Sequence, residues 1–145
     1  MIYVDADACP VKPEVVRVAK RHKFRVMFVT NAWMRLPDEW DAELVVVEGQ
    51  FDAADDWIVE RVVKDDIVVT ADIPLVHRSI KAGARVIGPQ GRIFTDENIG
   101  NISATRDLLH TLRGAGEITG GPAPFKKEDR SRFLQELEKI IQEIS

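Results

Sequence analysis

Short, almost uninterrupted apolar runs alternate with amphipathic helical patterns along most of this 145-residue chain. Such runs indicate strands that are buried on both faces, because a half-exposed strand would alternate apolar and polar residues. Strands that alternate with helices are joined as parallel neighbours by crossovers. The sequence therefore predicts a three-layer α/β fold with a mainly parallel sheet of about five strands. The predicted strands are residues 2–4, 26–30, 44–47, 67–70 and 85–87.

Capping residues and apolar stripes predict the helices between these strands. The first begins at Pro13 and ends with basic residues around Lys23, the second is capped by Asp52 and runs to about residue 63, and the third spans about 74–82 before Gly83. Two more are expected at about 103–113 and 126–144, separated by the linker GEITGGPAPF. We expect residues 1–120 to form one α/β domain and residues 121–145 to be a linker and helix.

The last predicted helix carries an apolar stripe, and two interpretations of it remain open. The stripe either packs on the body of the same domain, which we expect, or pairs with a second copy of the chain. Its residues are Phe133, Leu137, Ile140 and Ile144, with Leu134 and Ile141 beside them.

Composition points to a protein of the cytoplasm. The single cysteine, Cys9, excludes an internal disulfide, and we expect it to be a small buried apolar group. No apolar stretch approaches the roughly 20 residues that cross a bilayer, and the N-terminus lacks the pattern of a signal peptide. We therefore expect no membrane association.

Charge is distributed unevenly along the chain. Residues 15–37 contain six basic residues and no acidic one, whereas residues 38–72 contain twelve acidic residues against two basic ones. A basic segment beside an acidic one is suited to holding a polyanion next to bound cations. The alternative is that both segments are simply solvated faces.

Carboxylates follow the predicted strands at the points where ligands bind in an open parallel sheet, beyond the carboxyl ends of the strands. Asp5 and Asp7 follow the first strand, Asp55 and Asp56 open the helix after the third, and Asp72 follows the fourth. Crowded carboxylates repel one another unless a cation offsets the repulsion. The pattern predicts a site for Mg²⁺ or Mn²⁺, which favour oxygen ligands. The alternative roles are capping for Asp7 and Asp72 and an electrostatic role at the start of its helix for Asp55, with Asp56 in the same first turn.

Five strings carry a resemblance to a known family. VDADACPVK, FVTNAW, FDAADDWIVERV, DIVVTADIPLV and GGPAPFKKEDRSRF, in this order, resemble the YaiI/YqxD family of uncharacterised bacterial proteins over essentially the whole chain. The resemblance implies a PIN-like or NYN-like nuclease domain on a Rossmann-like sheet. It implies that Asp5 is the first-strand acid, Asp72 the fourth-strand acid, and Asp55 or Asp56 the helix acid, with Asp7 as an extra. Residues 73–75 hold no acid where PIN-like domains commonly carry a second one.

These observations lead to one main functional hypothesis and two alternatives. The main hypothesis is a metal-dependent nuclease, with RNA as the expected substrate, in which Asp5, Asp7, Asp55 or Asp56, and Asp72 bind Mg²⁺ or Mn²⁺. Phosphates would be held by basic side chains, namely Arg17, Lys20, Arg21, Arg35, Lys126, Lys127 and Arg130. Trp33 is weighed as a core or lid residue and, alternatively, as a base-stacking one.

The first alternative is a phosphatase that resembles haloacid dehalogenases. Asp5 would be its covalent nucleophile and Asp7 its acid/base, although Ala8 and Cys9 stand where that class has Gly-Thr. The second alternative is a non-catalytic RNA-binding or regulatory module that retains an acidic pocket.

Overall fold

Six strands form one sheet in the computed structural model, which describes residues 1–49, 53–99 and 125–144. The strand order is β3-β2-β1-β4-β5-β6. The first five strands are parallel to their neighbours, and β6 is antiparallel to β5. Their bounds are β1 Ile2–Asp5, β2 Val26–Thr30, β3 Glu43–Val46, β4 Ile67–Val69, β5 Arg85–Ile87 and β6 Ile93–Phe94.

The helices lie close to their predicted positions. They are α1 Lys12–His22, α2 Ala53–Arg61, α3 Ile73–Lys81 and α4 Lys127–Ile144, with a 3-10 turn at Ala6–Ala8 and a short helical stretch at 96–99. A proline in the first turn suits the starts of α1 and α3, because its missing N–H would have no partner there. Lys23 ends α1 in the left-handed conformation, with φ 61°. None of the helices in the described ranges is sufficiently long and apolar to cross a membrane.

Two separate apolar cores cover the two faces of the sheet. Alternate residues of β1 divide between them, since Ile2 and Val4 face the core that contains α1 and α4, whereas Tyr3 faces the core that contains α2 and α3. The same alternation places Phe28 and Val29 of β2 on opposite faces. The predicted three-layer α/β architecture, Rossmann-like in its strand order, is confirmed.

The sheet has one strand more than the five apolar runs of the sequence indicate, and this strand lies within residues 88–102, which the composition predicts to be loop-like. The sixth strand, β6, has only two residues and pairs with β5 across the turn at 88–91. A two-residue strand is too short to show any apolar period.

The predicted helix at 103–113, the cap at Asp52 and the domain boundary at residue 120 lie outside the described residues.

The stripe of the final helix is buried within the same chain. Phe133, Leu137, Ile140 and Ile141 belong to the core that contains α1, and Leu134 and Ile144 pack against that core while partly exposed. The helix thus lies against its own domain along most of its length.

Candidate active site

A cleft opens where the strand order reverses, between the carboxyl ends of β1 and β4. In a sheet ordered 3-2-1-4-5-6 this reversal is the place where ligands bind, because the crossovers leave β1 and β4 on opposite sides and open a crevice between them. The cleft has a volume of about 310 Å³. It is lined by four carboxylates and their neighbours: Asp5, Asp7, Asn31, Ala54, Asp55, Thr70, Ala71, Asp72 and Pro89.

Asp5 is the last residue of β1 and is held by a hydroxyl from the neighbouring strand. The hydroxyl of Thr70, which directly follows β4 and is 2% exposed, donates to Asp5 Oδ2 at 2.9 Å. The same Thr70 oxygen accepts the backbone N–H of Asp72 at 3.0 Å. Burial raises the pKa of Asp5, the Thr70 hydrogen bond opposes that effect, and the charges of Asp7 and Asp72 raise the pKa further. Ionisation of Asp5 is therefore less favourable in the folded protein than in water.

Asp7 is held in the same manner from the other side of β1. The hydroxyl of Thr30, at the end of β2, donates to Asp7 Oδ1, and the backbone N–H of Asn31 donates to Asp7 Oδ2 at 3.1 Å. Ala6, between the two acids, is fully buried in the core. The burial of this small residue leaves the flanking carboxylates at the cleft.

Of the three remaining predicted acids, two line the cleft and one does not. Asp72 lines the cleft and also caps α3, since its Oδ1 accepts the N–H of Leu75 at 3.3 Å. Asp55 lines the cleft from the first turn of α2. Asp56 is not among the lining residues, and its Oδ1 lies 2.8 Å from Nη1 of Arg78 on α3. The structure thus separates Asp55 from Asp56, which the sequence left as alternatives.

These carboxylates line one cleft without forming a closed cage. Among the described residues, no group of three or more His, Cys, Asp or Glu side chains is close enough together to hold a metal ion by itself. Cys9 does not add a ligand, because it is buried and burial raises the pKa of its thiol to about 11. A cation in this cleft would need water or substrate oxygens to complete its coordination.

The predicted phosphate-binding residues are scattered rather than gathered at the cleft. Lys20 and Arg21 lie in the last turn of α1, near the amino edge of the sheet, because α1 returns the chain from the end of β1 to the start of β2. Arg130, in the first turn of α4, pairs with Glu14, and Arg21 pairs with Glu138 at 3.2 Å. All of these residues except Arg130 are exposed: Arg17, Lys20, Arg21, Arg35, Lys126 and Lys127.

Sequence reasoning missed two residues of this neighbourhood. The sequence pattern places Thr70 in the fourth strand and assigns it no role, although FVTN and VVTAD both put a threonine where a strand ends. Lys12 begins α1, and its Nζ donates to the carbonyl of Cys9 at 2.9 Å. The two threonines show a recurring local signal, namely a hydroxyl at the end of each strand beside β1.

Fold and site together define an α/β protein with a Rossmann-like sheet and a carboxylate-lined cleft at its switch point. The chain belongs to the YaiI/YqxD family, since the family model described as "Uncharacterized BCR, YaiI/YqxD family" matches residues 3–143. UPF0178 proteins of Brucella ovis and Brucella canis are each 55% identical to it over 141 residues, covering 97% of this chain and 88% of theirs. A UPF0178 protein of Rhodospirillum centenum is 55% identical over 144 residues, covering 97% and 94%. A search of solved structures found no match.

Proposed function

We propose that this protein is a metal-dependent phosphodiesterase that cleaves nucleic acid, with RNA as its expected substrate. The observation that carries the proposal is the pair Asp5 and Asp7, which buried threonines of the two flanking strands hold at the switch point. Asp55 and Asp72 line the same cleft. Four acids from three chain segments are otherwise an unfavourable concentration of like charge.

The donor set fits Mg²⁺ or Mn²⁺ rather than a softer metal. The four acidic side chains that line the cleft offer carboxylate oxygens, which are hard ligands. Mg²⁺ commonly uses only one or two protein carboxylates and keeps several waters, so an open cleft suits it better than a closed cage would. When bound, such an ion supplies Lewis acidity towards a phosphodiester and favours ionisation of an attacking water.

The chain's own residues would bind the cation and the phosphates and fix the orientation of the carboxylates. Asp5 and Asp7 hold the cation, while Thr70 and Thr30 fix their carboxylate orientations. Asp72 is also fixed, because it caps α3. Exposed basic side chains bind the phosphates of a polyanion. The resemblance to PIN-like domains adds support, and the buried free cysteine is compatible with a cytoplasmic protein.

The first experiment is a calorimetric titration of Mn²⁺ into the wild-type protein and into Asp5→Asn, with Asp56→Asn as the matched control. We expect the wild type and Asp56→Asn to bind Mn²⁺ and Asp5→Asn to lose binding, because Asp5 lines the cleft and Asp56 does not. RNA and DNA oligonucleotides are then incubated with each protein and Mn²⁺ or Mg²⁺. Cleavage by the wild type and Asp56→Asn, and at least a 100-fold loss in Asp5→Asn, is expected.

Other outcomes point to the two alternatives. Full cleavage by Asp5→Asn would overturn the assignment. A phosphoryl group trapped on Asp5 would identify a phosphatase with a covalent intermediate. RNA binding that EDTA does not change, with no cleavage under either metal, would favour a non-catalytic module.

A further inference from the structure

One aromatic side chain beside the cleft is not used by the fold. Trp33 is 73% exposed, whereas the other tryptophans are partly buried against aromatic rings. The ring centroids of Trp40 and Phe28 are 5.8 Å apart, and those of Trp57 and Tyr3 are 6.1 Å apart. An exposed indole buries little area on folding, and this one follows the end of β2 by three residues.

The segment that carries Trp33 is fixed at both ends. Thr30, which holds Asp7, accepts the backbone N–H of Ala32 at 3.1 Å. Met34 and Leu36 pack against the core that contains α1. The segment therefore alternates, with Met34 and Leu36 facing inwards and Trp33 and Arg35 exposed. The indole and the guanidinium are thus presented from a backbone that is already anchored.

The anchored segment adjoins the cleft directly. Asn31 lines the cleft, and Trp33 follows it by two residues. Two residues of extended chain span at most about 7 Å. That distance is comparable with the length of a single nucleotide. One nucleotide at Trp33 and the next in the cleft can therefore belong to the same strand.

We propose that Trp33 and Arg35 form a binding site for single-stranded nucleic acid, in which a base stacks on the indole and the guanidinium contacts a backbone phosphate. Stacking on a side chain requires a base whose face is free, which single strands and loops offer and a continuous duplex does not. An aromatic ring with a neighbouring cation is the combination that sequence-tolerant single-strand binding uses. This inference rests on the proposed function only in that the bound strand continues into the carboxylate cleft.

The test measures binding in EDTA, so that it does not depend on a metal or on cleavage. Labelled single-stranded RNA and DNA oligonucleotides are titrated with the wild type, Trp33→Ala and Trp33→Phe, and the dissociation constant is read by fluorescence anisotropy. We expect Trp33→Ala to weaken binding roughly 5- to 150-fold and Trp33→Phe to retain most of the affinity. The matched control is Val63→Ala, which truncates another exposed apolar side chain, 62% exposed, between α2 and β4; it should bind as the wild type does.

Arg35 is tested through salt dependence. Loss of one phosphate contact lowers the slope of log affinity against log salt by about 0.7 on a single strand. We expect Arg35→Ala to show that decrease and Arg35→Lys to keep the wild-type slope. An unchanged slope in Arg35→Ala would remove Arg35 from the site.

Two results would overturn the proposal: wild-type affinity in Trp33→Ala, or tighter binding of a duplex than of its single strand. Wild-type affinity together with a loss of self-association in Trp33→Ala would make the surface a contact between copies of the chain. The two proposals fail separately. Cleavage that depends on Asp5, with no role for Trp33 in binding, removes only this inference. Trp33-dependent binding without any cleavage removes only the nuclease activity.

Discussion

At the scale of single residues, two threonines explain how like charges are tolerated at the end of a buried strand. Thr70 donates to Asp5 and Thr30 donates to Asp7, each from a strand that flanks β1. A hydroxyl that donates to a carboxylate favours the ionised form. At Asp5 burial outweighs this effect, because the pKa remains above its ordinary value. The cleft therefore holds a carboxylate whose ionisation opposes folding unless a cation is present.

This balance predicts that Asp5→Asn stabilises the metal-free protein at neutral pH. The folded state raises the pKa of Asp5, so its contribution to stability is fully present below the unfolded value of 3.8 and is lost as the pH rises through the folded value. We expect the melting temperature of Asp5→Asn in EDTA to exceed that of the wild type by about 2–4 °C at pH 7.

The difference between the two proteins should shrink as the pH falls towards 4, because wild-type Asp5 then becomes neutral as well. Thermal melts of both proteins across this range provide the measurement. A wild type that is more stable than Asp5→Asn at pH 7 in EDTA would contradict the prediction. Asp56→Asn serves as the control, since its carboxylate faces Arg78 instead of the cleft.

Sequence alone located most of the cleft acids but not their details. Asp5, Asp7 and Asp72 follow apolar runs, so their edge of the sheet was predictable. The choice between Asp55 and Asp56 was not, because neighbouring helical residues differ by about 100° in direction. The rotation of α2 is set by the burial of Ala54 and Ile58, and its apolar residues do not define a single face. No periodic pattern in the sequence distinguishes the tryptophan that stays exposed from the two that are partly buried.

At the scale of elements, α4 lies parallel to α1 and makes ion pairs with residues near both ends of α1. Arg130 in the first turn of α4 pairs with Glu14 near the start of α1. Glu138, eight residues further along, is 2.8 Å from Nε2 of His22 at the end of α1. The turn before β6 contacts the same helix, because a Cβ on Gly91 would lie 2.7 Å from Cγ of Arg132. Pro89 of that turn lines the cleft, so α4 supports one wall of the site.

The pair of Glu14 and Arg130 yields the second prediction. The Glu14 side chain is 7% exposed, and its Oε2 has no hydrogen-bond partner among the described residues, so Arg130 is its main compensation. We expect Arg130→Ala to lower the free energy of unfolding by about 3 kcal/mol, because it leaves a buried carboxylate without its cation. Urea unfolding measures the change.

The control for Arg130→Ala is the double variant Glu14→Leu with Arg130→Met. Replacing both partners by apolar residues of similar volume should restore most of the stability. If the double variant were as unstable as Arg130→Ala, the loss would come from packing of the arginine stem, and the charge argument would fail. Weakened oligonucleotide binding in a stable double variant would show that Arg130 also contacts phosphates, as the sequence predicts.

Elements were predictable in proportion to their local signals. The strand at 26–30 and the strand at 85–87 match the structure in both bounds, because each is a short run closed by polar or glycine residues. The start and end of α3 follow from Asp72 and Gly83 in the sequence. By contrast, β6 depends on pairing with β5 and leaves no pattern of its own.

At the scale of the whole molecule, the strand order determines the position of the site. The sequence predicts parallel strands, but the same apolar runs are compatible with several orders. The order β3-β2-β1-β4-β5-β6 arises only when crossovers pack on both faces, and it makes the ends of β1 and β4 meet at the switch point. It also separates two edges of the molecule: the carboxyl edge with the cleft, and the amino edge with the end of α1.

This separation predicts that basic residues contribute to nucleic-acid binding according to the edge on which they lie. Lys127 is the first residue of α4. The contacts of the nearby Arg130 with Pro10 and Glu14 place this helix start near the carboxyl edge. Lys20 lies in the last turn of α1, near the amino edge. Lys127→Glu and Lys20→Glu change the net charge equally. We expect Lys127→Glu to weaken single-stranded oligonucleotide binding several-fold at about 0.1 M salt and to reduce the salt slope by about 0.7.

Lys20→Glu should leave both the affinity and the slope close to those of the wild type, because exposed charges more than about 10 Å apart are largely screened at 0.1 M salt. Anisotropy titrations of the two variants over a series of salt concentrations give both quantities. Equal losses in the two variants would mean that binding responds to total charge and not to position. A larger loss in Lys20→Glu would place the nucleic acid along α1, as the basic segment of the sequence first suggested, and would detach binding from the carboxylate cleft.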